Sequence, residues 1–196
     1  LGLDVIASAF PGVPIQATAE VVADFQAKGP AALASAKANF GAANIAEKLA
    51  TIAPISQDKL ELEGEELRIV KLTDGESASA AALYGSRHKL LVAGDLLYNR
   101  AYLWLAECKS EAWAQNLKGL SSLGGIEQVY PGHGAAPATA AIIDENLQYL
   151  TTVVPILQNA TTAADAIAQV KQKYSYTGGG LLEYSTNIFF SACKKP

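Results

Sequence analysis

The run Leu90-Leu91-Val92-Ala93 most narrows what this chain can fold into. Four consecutive apolar residues ending at Gly94-Asp95 offer no face to water, the pattern of a strand covered on both sides. Such a strand needs a sheet with a layer packed on each face. The rest of the chain supplies the parts. Apolar residues recur at helical spacing over 3–10, stop at Pro11-Gly12, and resume over 19–28 behind Thr18, a reasonable N-cap. Gly29-Pro30 predicts a stop, with a further helix or broken pair over 30–52. Near Pro54 the period changes from about 3.6 to 2. Strands are expected over 59–62 and 67–72 around Glu63-Gly64-Glu65-Glu66, then over 80–84 and 89–93. Helices are expected over 102–120, 139–158, 162–174 and 181–194, with a short strand over 126–130. Helices, a strand-rich middle, then strand and helices make a layered α/β domain. The regular alternation and glycine-rich loop of a nucleotide-binding fold are both missing from the sequence.

Composition sets limits on function. The chain has 196 residues, half of them hydrophobic and 17% charged, which suits one domain spanning 1–196 and excludes a largely disordered chain. A net charge of −4 without a basic block argues against a nucleic-acid partner. No apolar run is long enough for a membrane span, so a soluble protein is expected, cytoplasmic or periplasmic. The sequence contains no methionine and opens at Leu1 without a secretory signal, which suggests a processed product, a fragment or an incomplete sequence. Cys108 and Cys193 stand in no metal-type spacing. They are expected to pack as small apolar residues, with a lone disulfide as the alternative.

The candidate chemistry lies at strand ends. His88 sits in the charged turn Ser86-Arg87-His88-Lys89 and reads as a solvated residue. His133 follows a short apolar strand and is flanked by glycines, which leave room for a ligand at a strand end. Asp95 occupies the matching position after Gly94. A buried carboxylate there would need a cation, a metal or several backbone donors, unless it serves as a turn or N-cap residue. Together, an imidazole nitrogen and a carboxylate oxygen suit zinc or iron.

Val92-Ala93-Gly94-Asp95-Leu96-Leu97-Tyr98-Asn99, Trp113 and Val129-Tyr130-Pro131-Gly132-His133-Gly134 resemble the second half of a metallo-β-lactamase-fold hydrolase. The resemblance covers most of the chain. It implies an α/β fold, a four-layer αββα sandwich incomplete at the N-terminus, with a site for two zinc ions in a complete protein. By the same resemblance Asp95 would bridge the two metals and His133 would bind the second. The family's H-x-H-x-D-H motif is absent from the sequence, and Leu1-Gly2-Leu3-Asp4 looks like the start of the helix that follows it. Glu76 stands where the family has its middle histidine, and could offer oxygen to the metal. A histidine that related members carry near Ala101-Tyr102 is also missing.

The resemblance implies hydrolysis of an ester, lactone, thioester or amide bond of a small molecule, as part of a longer chain. The alternatives are a catalytically degenerate member acting by binding or assembly, and a metal-free helical interaction module. Tyr98, Tyr102 and Trp104 are candidates for an apolar pocket mouth, while Trp104 and Trp113 also read as core aromatics. Apolar surface on the helices over 139–158 and 181–194 makes a homodimer an expectation.

Overall fold

The computed structural model describes residues 2–194, which pack as two compact units divided after Gln57. In the first, helix α1 (Leu3–Ala9) ends before Pro11-Gly12, as its sequence predicts. Strand β1 (Gln16–Thr18) runs parallel to β2 (Ala53–Ile55). The Thr18 hydroxyl accepts the Val21 N–H and opens helix α2 (Ala19–Phe40). The expected stop at Gly29-Pro30 does not occur, because α2 continues through Pro30. A helical proline costs about 3 kcal/mol. Alanine-rich flanks offset part of it, and Gly29 is buried against Leu49, whose Cδ1 would lie 2.8 Å from any Cβ there. The helix expected to reach residue 52 is replaced by a single turn, Ala42–Asn44. The Lys37 ammonium pins the segment that follows by donating to the Glu47 carbonyl at 2.7 Å.

The second unit is built on a five-stranded mixed sheet. Its strands are β3 (Lys59–Leu62), β4 (Glu65–Thr73), β5 (Ser79–Gly85), β6 (Leu90–Asn99) and β7 (Gln128–Gly134), in that order across the sheet. Neighbours are antiparallel from β3 to β6, whereas β6 and β7 are parallel. The first hairpin turns on Glu63 and Gly64 at φ 51° and 78°, the positive pair that a two-residue turn requires. Helices α3 (Ser110–Ser121), α4 (Ala141–Asn159), α5 (Ala163–Lys173) and α6 (Gly179–Ile188) follow, and α6 runs on into a π turn over Phe189–Cys193. Leu91, Leu97, Trp113, Leu117, Val129 and Val153 form the centre of one core between sheet and helices. Each such side chain contributes about 1.5–3 kcal/mol by leaving water.

Three expectations need correction. Leu91 and Ala93 are buried, but Val92 is 39% exposed and so is its register partner Tyr130, so the β6 strand is covered on one face there. Residues 102–109 are not helical. Tyr102 and Leu103 are buried in an extended segment whose backbone finds partners elsewhere, with Tyr102 N–H on the Thr177 carbonyl and Leu105 N–H on the Ser185 hydroxyl. Cys108 and Cys193 do not pack as free thiols; they form a disulfide that closes 85 residues of sequence. Among the described residues no helix is long and apolar enough to cross a membrane.

Candidate functional site

Because β6 and β7 are parallel, their carboxy-terminal ends lie at the same edge of the sheet, where sites in α/β folds form. The ladder is regular from Leu90 to Val92, then shifts register twice between Val92 and Tyr98. Gly94, at φ 54°, starts this irregular stretch and sets Asp95 free of the ladder. The opposing strand comes unusually close. A Cβ on Gly132 would meet the Asp95 carboxylate and lie 2.7 Å from the Asp95 nitrogen, and one on Gly134 would meet the Asn99 carbonyl. The two glycines around His133 are therefore demanded by strand approach.

The approach brings His133 Nε2 to 3.3 Å from Asp95 Oδ1, with the side chains 44% and 53% exposed. Asp95 is thus a solvated, paired carboxylate, and the expected cost of burying it does not arise. The His133 ring stacks on Tyr98, with centroids 4.5 Å apart and planes inclined by 21°. Tyr98 is held in turn by Asn146 of α4, which accepts its N–H at 2.9 Å and donates to its carbonyl at 2.8 Å. The Trp113 indole N–H, from α3, donates to the Leu96 carbonyl at 3.1 Å. Tyr98 and Tyr102 are buried to within a few per cent, so they are core residues and do not form a pocket mouth. Trp113 is likewise buried, and Trp104 packs on Tyr184 at 5.6 Å.

Glu76 lies in the turn between β4 and β5. Asp74 N–H donates to the Ala78 carbonyl and Gly75 N–H to the Ser77 carbonyl, each at 3.0 Å. The Asn116 side chain donates to the Thr73 carbonyl at 2.8 Å, and Lys109 pairs with Asp74 at 3.1 Å. Burial, then the charges of Asp95 and Glu107, raise the Glu76 carboxyl from 4.5 to about 7. Burial first, then the same Glu76 and Asp95 charges, hold the Tyr98 phenol far above its ordinary value, so it stays neutral. Asp95 thus links the other two candidates, pairing with His133 and raising the Glu76 carboxyl by its charge. His88 lies at the opposite end of β6, 2.9 Å from the carboxylate of buried Glu65.

Two ligands on a tetrahedral zinc with bonds of about 2.1 Å stand about 3.4 Å apart, so the Asp95–His133 spacing fits two corners of such a site. Among the described residues, however, no group of three or more His, Cys, Asp or Glu side chains could hold an ion. A catalytic zinc uses three protein ligands. The residues present do not fit one.

Neither a family model nor a curated protein matches the sequence. Solved structures do match. A metallo-β-lactamase from Pontibacter korlensis aligns with 77% of this chain at TM-score 0.54 and 16% identity. A β-lactamase domain protein from Burkholderia ambifaria aligns with 92% at TM-score 0.61 and 12% identity. The fold is part of a metallo-β-lactamase fold. A metallo-β-lactamase family protein from Thermus thermophilus, at TM-score 0.57 and 16% identity, also aligns with 92% of the chain. The chain spans 63%, 60% and 67% of these three proteins' own lengths. What is common is an α/β architecture with mixed sheets.

Sequence reasoning passed over Asn146, Glu107 and Lys109. The first is a polar residue inside an apolar helix face, a signal that was there to be read. The other two flank Cys108, and nothing local marks them.

Proposed function

We propose that Asp95 and His133 are two corners of a metal-dependent hydrolase site that groups outside these 196 residues complete. The observation that carries this reading is their 3.3 Å pairing across two parallel strands, with His133 near the end of β7 and Asp95, contrary to its expected place at a strand end, in the irregular middle of β6. The whole protein would then complete the four-layer αββα sandwich, take zinc as its cofactor, and hydrolyse an ester, lactone, thioester or amide bond in a small molecule. Within this chain the supporting residues do positioning work. Asn146 fixes the Tyr98 backbone, Tyr98 sets the plane of the His133 imidazole, and Gly132 lets Asp95 meet His133. Neither nucleic acid nor membrane is a partner in this reading. Because α4 already buries Ile142, Leu150 and Val153 in its own unit, a homodimer would use α6, where Tyr184 is 59% exposed.

A specific observation favours a second reading, a catalytically degenerate protein that acts by binding. Glu76 adds a further carboxyl group beside Asp95, and an anionic ligand there would lower the Lewis acidity of any ion. Native mass spectrometry of the whole protein, with the groups outside these 196 residues included, before and after chelation, with a screen of ester, lactone, thioester and amide substrates, separates the two. Chelator-sensitive zinc and turnover support the hydrolase. A metal-free protein that turns over none of the four classes supports the binding protein.

A further inference from the structure

The disulfide lies beside the candidate site. The two residues that flank Cys108 both bear on it. Before it, Glu107 is close enough to Glu76 for its charge to be felt there. After it, Lys109 pairs with Asp74 at 3.1 Å, two residues from Glu76. Cys108 itself takes φ 61°, a left-handed conformation uncommon for a non-glycine residue, which Asp74 across the ion pair also takes at φ 55°. Its disulfide partner is Cys193, in the π turn that ends α6. The chain end and the Asp74–Glu76 turn are therefore joined through one three-residue segment. Cys108 is exposed, and a cavity of about 360 Å³ lined by Cys108, Lys109, Glu111, Val154, Phe189 and Cys193 opens next to the bond.

We propose that the Cys108–Cys193 disulfide is a redox latch on the candidate site: oxidised, it presses residues 107–109 against the Asp74–Glu76 turn, and reduction releases both. This goes beyond the hydrolase reading and stands or falls independently of it. The reductant class is a small dithiol that enters the cavity. Its thiolate attacks one sulfur and forms a mixed disulfide, and its second thiol then displaces that cysteine. The Sγ–Sγ bond breaks, two electrons and two protons pass to Cys108 and Cys193, and the reductant leaves as a cyclic disulfide. Freed of Cys193, residues 107–109 are no longer tied to the end of α6, and Lys109 is no longer presented to Asp74. In compartments where disulfides persist, such as the periplasm, the latch stays closed.

Hydrogen exchange followed by NMR, on the oxidised protein and after dithiothreitol, tests this directly. Asp74 and Gly75 N–H are hydrogen-bonded within the turn and report its order. Reduction is expected to speed their exchange on the order of tenfold through local opening of the turn, a process separate from the global opening that Leu150 and Val153 of α4 report. Acceleration confined to residues 189–193, with Asp74 and Gly75 unaltered, would overturn the proposal and leave the bond as an anchor for the chain end. Lys109→Ala, made in the oxidised protein, keeps the test valid should reduction loosen the whole unit. It is expected to speed the same two amides with the disulfide intact, and unaltered exchange there would equally overturn the latch.

Discussion

Replacing Asn146 by alanine tests how the site is held in place. The side chain is 3% exposed and makes three bonds: it accepts Tyr98 N–H, and donates to the carbonyls of Tyr98 and Ile142. Ile142 keeps a second partner within its helix. Tyr98, itself 2% exposed, would be left with an N–H and a carbonyl out of reach of water. An orphaned buried group costs about 1–3 kcal/mol, so two of them come to about 3 kcal/mol. At about 3 °C per kcal/mol for a chain of this size, the midpoint should fall by roughly 10 °C. Urea unfolding of the variant should show the lower midpoint with an unchanged slope. The His133 ring should also lose its stacked position, visible as a shift of its ring-proton resonances. A loss below about 1 kcal/mol, or His133 resonances that do not move, would refute the claim that Asn146 clamps Tyr98 beneath the imidazole.

Three other variants probe separate features. Gly132→Ala forces a methyl group against the Asp95 backbone at 2.7 Å; it should part β7 from β6 and cost about 2–3 kcal/mol by thermal unfolding. Glu76 has its folded value raised from 4.5 to about 7, so its contribution is fully present below 4.5 and is lost as pH rises through 7. Discounted for its partial solvent access, that is roughly 2 kcal/mol. Glu76→Gln should flatten the stability profile between those values and gain that amount at pH 8, read from urea midpoints across pH. The Cys108→Ser, Cys193→Ser double variant opens a loop of 85 residues and should lose about 4.6 kcal/mol on the loop-entropy estimate, with a steeper urea slope as the unfolded chain expands.

The strand-rich middle was legible because its signals are local. The polar run 63–66 demands a turn, and alternation over 59–62 and 67–72 places the strands on either side of it, although β4 starts two residues earlier, at Glu65. Asp95 and His133 stood out for the same reason, each following a short apolar run with glycine beside it, whereas the extension of β6 past Asp95 to Asn99 carries no such local signal. Where the reading failed, distant contacts decide. Tyr102-Leu103-Trp104-Leu105 has a helical composition, yet its backbone bonds go to Thr177 and Ser185, more than seventy residues away in sequence. Pro30 breaks a helix by its own preference, but Leu49 over Gly29 and the alanines around it keep α2 intact. The disulfide depends on two positions brought together only by the finished fold. Nothing local marks the burial of Glu76 or the charges of Asp95 and Glu107, elsewhere in the chain, that raise its carboxyl.

The most direct test is a zinc titration of this chain by calorimetry, alongside Asp95→Asn and His133→Ala. Two donors at tetrahedral spacing without a third predict one site with a dissociation constant on the order of 10 µM or weaker, about −7 kcal/mol, abolished by either substitution. Tight zinc binding, or binding that survives both substitutions, would contradict the account.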